Sequence, residues 1–279
     1  MEAASLPVTD LPAIEVAAPR RPGGGPIRRL GGMSALGLRA GASLLRPPFA
    51  WRREFAIQTW SIVRRSLPAI AIAIMAWGFA GPGLQAGNFL TLFGSIDRAG
   101  GFMVVAILRE FGTFVTATAV AGVSGTMLTA ELGARRVRGE LDALEVLGVD
   151  PVRAIVAPRV LALVVAMLGL DLFALVFGVL GGYIATVGVL GGTSGAFFAS
   201  FFANTTAIDL VASVVKVGLF GLIIGVVCSW HGLHAAGGPE GVGRAVNRAV
   251  VGCLVGIFFV NLVFTQWLLA AFPQTGVFR

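Results

Sequence analysis

Charge is scarce in this chain of 279 residues, with Asp, Glu, Lys and Arg together making up 13% against roughly 25% in a soluble domain. There is one lysine, Lys216, and it lies inside an apolar run. No G-x-x-x-x-G-K-[ST] loop can therefore form, which excludes ATP hydrolysis by the P-loop route. There is no H-E-x-x-H, no paired-Cys metal motif and no G-x-S-x-G elbow, so no enzymatic site, metal or cofactor is expected. The two cysteines, Cys228 and Cys253, fall in apolar runs and are read as packing residues. The two histidines, His231 and His234, stand at the edge of a run and are read as interfacial. Strict apolar–polar alternation is missing too, which excludes a β-barrel.

Hydrophobic residues, by contrast, make up 56% of the chain, and the mean hydropathy is +0.87. Several runs reach the ~20 residues that cross ~30 Å of hydrocarbon. The fold class is all-α, a polytopic membrane protein with about five transmembrane helices. The spans are placed at Leu67 to Phe79 (with a continuation toward Leu92), Gly101 to Leu128, Ile155 to Val189, Ile208 to Trp230 and Ala249 to Ala271. The first is short and is expected to end at Gly81-Pro82-Gly83. The 39 glycines suit closely packed membrane helices. Gly178–Gly182, Gly221–Gly225 and Gly252–Gly256 form small-xxx-small pairs that pack either within the chain or across a dimer.

Ahead of the spans, residues 1–35 mix Pro, Gly, Ala and Arg without periodicity and are read as a disordered cytoplasmic tail with no signal peptide. Residues 36–66 interleave Phe49, Trp51, Phe55 and Trp60 with Arg46, Arg52, Arg53, Arg64 and Arg65, the pattern of an interfacial amphipathic helix. Residues 67–279 form the membrane domain. Of the 21 basic residues, ten lie in the first 65 positions, a juxtamembrane block suited to anionic lipid rather than nucleic acid. Arg135, Arg136, Arg138, Arg153 and Arg159 fall between the second and third spans, and Arg244 and Arg248 between the fourth and fifth. No basic residue separates the third span from the fourth. The expected orientation puts the N-terminus in the cytoplasm and the phenylalanines Phe197, Phe198, Phe201 and Phe202 at the outer interface.

Two places stand out. Arg109, Glu110, Asp171 and Lys216 lie within spans, each costing about 2.5–3.5 kcal/mol at a helix centre, so they must pair or face water. Arg109 and Glu110 point about 100° apart on a helix and need partners on other helices. Lys216 is the candidate for Glu110, and Asn261 can join by hydrogen bonding. Such a cluster either lines or gates a substrate cavity or specifies helix packing. The second place is Arg138–Gly148, too short to span or to be stable alone. Leu141, Leu144 and Leu147 share one side and Glu140, Asp142 and Glu145 take the others. The apolar stripe docks on a soluble partner or packs back on the chain's own helix ends.

The segments LREFG (Leu108–Gly112), AGVSGTMLTAELGARR (Ala121–Arg136), ELDALEVLGVDPVRAIVAPRVLA (Glu140–Ala162) and GGPEGVGRAVNRAVV (Gly237–Val251) resemble the MlaE/YrbE permease family, the last most closely its Mce-associated branch. The resemblance covers roughly Arg52 to Leu269. It implies the membrane subunit of an ABC transporter in the cytoplasmic (inner) membrane, paired with a second permease subunit as a homo- or heterodimer. A cytoplasmic ABC ATPase would dock on a coupling helix, here Arg138, Glu140, Leu141, Asp142, Leu144, Glu145 and Leu147. MCE-domain proteins would sit on the outer face and pass a lipid substrate through a hydrophobic tunnel: phospholipid, fatty acid or sterol. The family's polar cluster maps onto Arg109, Glu110 and Lys216, with Asn261 standing where some relatives have Asp and Val123 where MlaE-type sequences have Arg. A membrane scaffold for MCE proteins and an ATP-independent lipid channel are the alternative readings.

Overall fold

The computed structural model describes residues 25–45 and 51–273, and all regular structure among them is helical. In chain order these are α1 (Pro26–Leu44), α2 (Arg52–Leu92), α3 (Ile96–Val137), the short α4 (Glu140–Val146), α5 (Val152–Val189), the short α6 (Ser194–Asn204), α7 (Ala207–Leu233) and α8 (Gly238–Ala271). The five long helices α2, α3, α5, α7 and α8 have the length and composition to cross a membrane. They alternate in direction. The start of α2, the α4 connection and the α7–α8 turn share one end of the bundle, called here the α4 end. The α2–α3 turn and α6 share the other.

The boundaries differ from the sequence expectation in three places. The stretch expected to be unstructured up to residue 35 contains the first turns of α1, and residues 1–24 lie outside the described region. Pro26 presets the first turn, and α1 is held by tertiary contact, with Leu36 and Ala40 buried beside α7. Its Gly32 lies so close to the Trp230 ring that a Cβ would come within 2.3 Å of it. Of the expected interfacial helix, residues 36–44 fall in α1 and residues 46–50, with Arg46 and Phe49, lie outside the described residues; from Arg52 it runs without a break into the first span. Its Gly81-Pro82-Gly83 segment does not stop it, because Pro82 rides in a widened turn, Phe79–Ala86, that absorbs the ring and the missing N–H. The expected loop from His231 to Arg248 is much shorter. α8 begins at Gly238, after Gly237 and Gly238 turn the chain at φ +89° and +68°.

Helix α3 runs through the middle and touches all four other long helices, while α8 is the least buried of them. Glycine sets the spacing. A Cβ on Gly78 of α2 would lie 2.3 Å from the Gly178 carbonyl of α5, and one on Gly181 would lie 2.2 Å from the Met75 carbonyl. Gly221 and Gly225 bring α7 onto Val164 and Val160 of α5, and Gly252 and Gly256 bring α8 onto Val227 and Ile223 of α7. The small-residue pairs read in the sequence therefore pack within the chain. Cys228 and Cys253 are free thiols whose sulfurs meet at 3.6 Å in the α7–α8 seam. On α6, Phe197 is 1% exposed and packs inward rather than outward, whereas Phe202 is exposed. The reason is Gly100, whose missing side chain lets the start of α3 lie against the Phe197 backbone.

Candidate functional site

Arg109 and Glu110 sit in a widened stretch of α3, Val104–Phe111, a deformation that recurs at functional sites. It closes at Gly112, whose N–H reaches the Ile107 carbonyl five residues back. A Cβ there would stand 2.4 Å from that oxygen. The stretch sends the two adjacent charges to different partners. Lys216 of α7, 2% exposed, donates from Nζ to the Arg109 carbonyl at 2.8 Å and to Thr265 Oγ1 of α8 at 3.1 Å, and reaches Glu110 Oε1 at 3.5 Å. Thr265 in turn donates to Glu110 Oε1 at 2.7 Å, and Asn261 Nδ2 donates to Oε2 at 3.0 Å. The sequence-derived grouping of Glu110, Lys216 and Asn261 is thus brought together on three helices.

Arg109 turns the other way, to a partner the sequence reading missed. Its Nε lies 2.9 Å from Asp209 Oδ1, the buried carboxylate at the start of α7. Asp209 also accepts from Thr206 N at 2.9 Å and Thr206 Oγ1 at 2.8 Å, closing a capping box. Thr206-Ala-Ile-Asp209 was the legible signal. An acid in the first turn complements the helix dipole, and here it anchors an arginine as well. Asp171 stands apart from this network and accepts from Ser213 at 2.5 Å.

At the α4 end, Gly139 and Gly148 adopt φ +73° and +75°, corners that a residue with a Cβ adopts at a cost of about 1–2 kcal/mol. Between them Leu141 is 2% exposed and Leu144 packs against the core. This corrects the single apolar stripe read from the sequence: Leu141 and Leu144 face the chain itself, because α4 lies back against α3. What α4 presents outward is Asp142, Glu145, Val146 and Leu147, the last two 89% and 75% exposed. Glu140 accepts from Arg138 Nε at 2.6 Å, which holds its carboxyl below the usual glutamate range. Asp142 pairs with Arg136.

A second ion network, also unforeseen, braces the base of this connection. Arg159 of α5, 2% exposed, donates to Glu131 of α3 at 2.7 Å and to Glu54 of α2 at 3.3 Å. Arg135 adds a contact to Glu131 at 3.1 Å.

Comparison with known proteins adds the family context. Residues 55–267 match the model of the family described as Permease MlaE. The chain is 32% identical over 237 residues to a "Probable ABC transporter permease protein" of Rickettsia felis, covering 85% of this chain and 91% of that protein. It is 35% identical over 214 residues to a protein of the same description from Synechocystis, 75% and 79% of the two chains. It is 28% identical over 224 residues, 79% and 85% of the two chains, to the "Intermembrane phospholipid transport system permease protein MlaE" of Haemophilus influenzae.

Proposed function

From the membership of this chain in the MlaE permease family, shown by the match over residues 55–267, we propose that it is the permease subunit of an MCE-associated ABC transporter that moves lipid across or out of the cytoplasmic membrane. The chain is a multi-pass permease of an ABC transporter. The finer reading assigns the α4 end, with the N-terminus, to the cytoplasm, because Arg135, Arg136, Arg138, Arg244 and Arg248 all lie there. A separate ATPase supplies the energy. MCE-domain proteins on the α6 side exchange the lipid with the permease, and a second permease subunit completes the membrane part. The phospholipid named for the Haemophilus influenzae relative makes phospholipid a natural first substrate to test, alongside fatty acids and sterols.

The observation that carries this reading is the construction of α4. It is a seven-residue helix fixed by Leu141 and by glycine corners, with an acidic and apolar edge turned outward. Docking that edge in a groove of the ATPase gives force a point of entry. The polar cluster, joining α3, α7 and α8 in the half of the bundle away from α4, is the element whose arrangement would differ between the two ATPase states. Neither a passive scaffold nor an ATP-independent channel needs a motor-docking surface.

Substituting Glu140→Lys together with Glu145→Lys is expected to abolish ATPase co-purification while membrane insertion stays intact. Val146→Asp with Leu147→Asp is expected to do the same. Undiminished ATPase binding in both variants would reject the docking assignment. Lipid transfer from proteoliposomes that is unchanged by nucleotide, with the ATPase present, would favour the channel, and its absence altogether would favour the scaffold.

A further inference from the structure

Beside the Arg159 network, α2, α3 and α5 leave a partly open cleft with a free volume of about 30 Å³. Its walls combine two guanidinium groups, Arg65 and Arg159, the Glu131 carboxylate that Arg159 and Arg135 neutralise, the hydroxyl of Ser61, and the apolar Ile62 and Leu163. Three features point to a ligand. Arg159 Nη1 is buried and has no hydrogen-bond partner among the described residues, a costly omission for a charged donor. Arg65, an exposed side chain with no ion pair among the described residues, lines the same cleft. Charge is unbalanced as well, since Arg65, Arg135 and Arg159 surround only two carboxylates, Glu54 and Glu131.

We propose that this cleft binds the oxyanion, phosphate or carboxylate, of an acidic amphiphile. Arg159 Nη1 and Arg65 supply the charge-assisted hydrogen bonds, and Ser61 adds a neutral donor. The free volume admits the acid oxygens and leaves the rest of the molecule outside. Arg159 lies seven residues into α5, about 10 Å along the axis from the end that carries α4. The site lies outside the Glu110–Lys216 cluster and does not depend on transport.

The test uses the full chain, purified and delipidated in an uncharged detergent, with native mass spectrometry counting bound molecules. Dioleoylphosphatidate and oleate are expected to bind at one per chain and dioleoylglycerol, which lacks the acid, is expected not to. Arg65→Gln, at an exposed position, is expected to weaken binding about tenfold, and Ser61→Phe, which fills the cleft, to abolish it. Inorganic phosphate that displaces the lipid would show that the free anion suffices. Lipid retained against excess phosphate would show that the amphiphile is the ligand. Wild-type affinity in Arg65→Gln, or equal binding of dioleoylglycerol, overturns the proposal, and Arg65→Gln decides it if Ser61→Phe fails to fold.

Discussion

Lys216 offers a quantitative test of the polar cluster. Lys216→Met removes a charge that is 2% exposed and strips Glu110 and Thr265 of a shared donor. Removing one partner of a buried ion pair costs about 3–5 kcal/mol, and the low end applies here. Glu110 is 29% exposed at its side chain and keeps Thr265 and Asn261 as donors. Glu110→Gln is expected to cost less, about 2 kcal/mol, because Lys216 retains the Arg109 carbonyl and Thr265. If the two charges hold each other, the double variant loses less than the sum, with a coupling of about 1–2 kcal/mol. Reversible unfolding in mixed micelles, titrated with a denaturing detergent, measures all four corners of the cycle. Additive losses, agreeing within about 0.5 kcal/mol, would refute the pairing and leave Lys216 as a cap on the Arg109 carbonyl.

Gly112→Ala places a Cβ 2.4 Å from the Ile107 carbonyl and is expected to close the widened turn or destabilise α3 by about 1–3 kcal/mol. Melting temperature together with lipid transfer checks it, and wild-type values for both would show that the turn has no role. Gly181→Val drives a branched side chain into the Met75 carbonyl at the α2–α5 seam and is expected to cost at least about 3 kcal/mol. A thermal-unfolding midpoint within experimental error of wild type would contradict the backbone contact described for that seam.

Much of this architecture is legible in the sequence because the membrane makes polarity expensive. Continuous apolar runs locate the long helices, and the cost of an isolated charge is what groups Glu110 with Lys216 and Asn261. Arg109 was left without its partner because Asp209 stands near the first turn of α7, where a charge reads as the end of a span rather than as an ion-pair acceptor. The Thr206–Asp209 spacing was the available clue. Arg244 and Arg248 suggested a loop, yet they ride on α8, which begins well before its apolar portion. The widened turns at Phe79–Ala86 and Val104–Phe111 leave no periodic trace, since one extra residue shifts phase without changing composition. Leu141 and Leu144 show the limit of pattern reading. Their spacing defines a face, and only the packed α3 beside it decides which way that face turns.

The Glu54–Arg159–Glu131 brace has a mechanical consequence. Glu131 and Arg159 stand on the two helices that α4 connects, so the base of that connection is stapled shut from both strands. Glu54 staples the same point to the beginning of α2. A load on α4 would therefore be shared among α2, α3 and α5 at once.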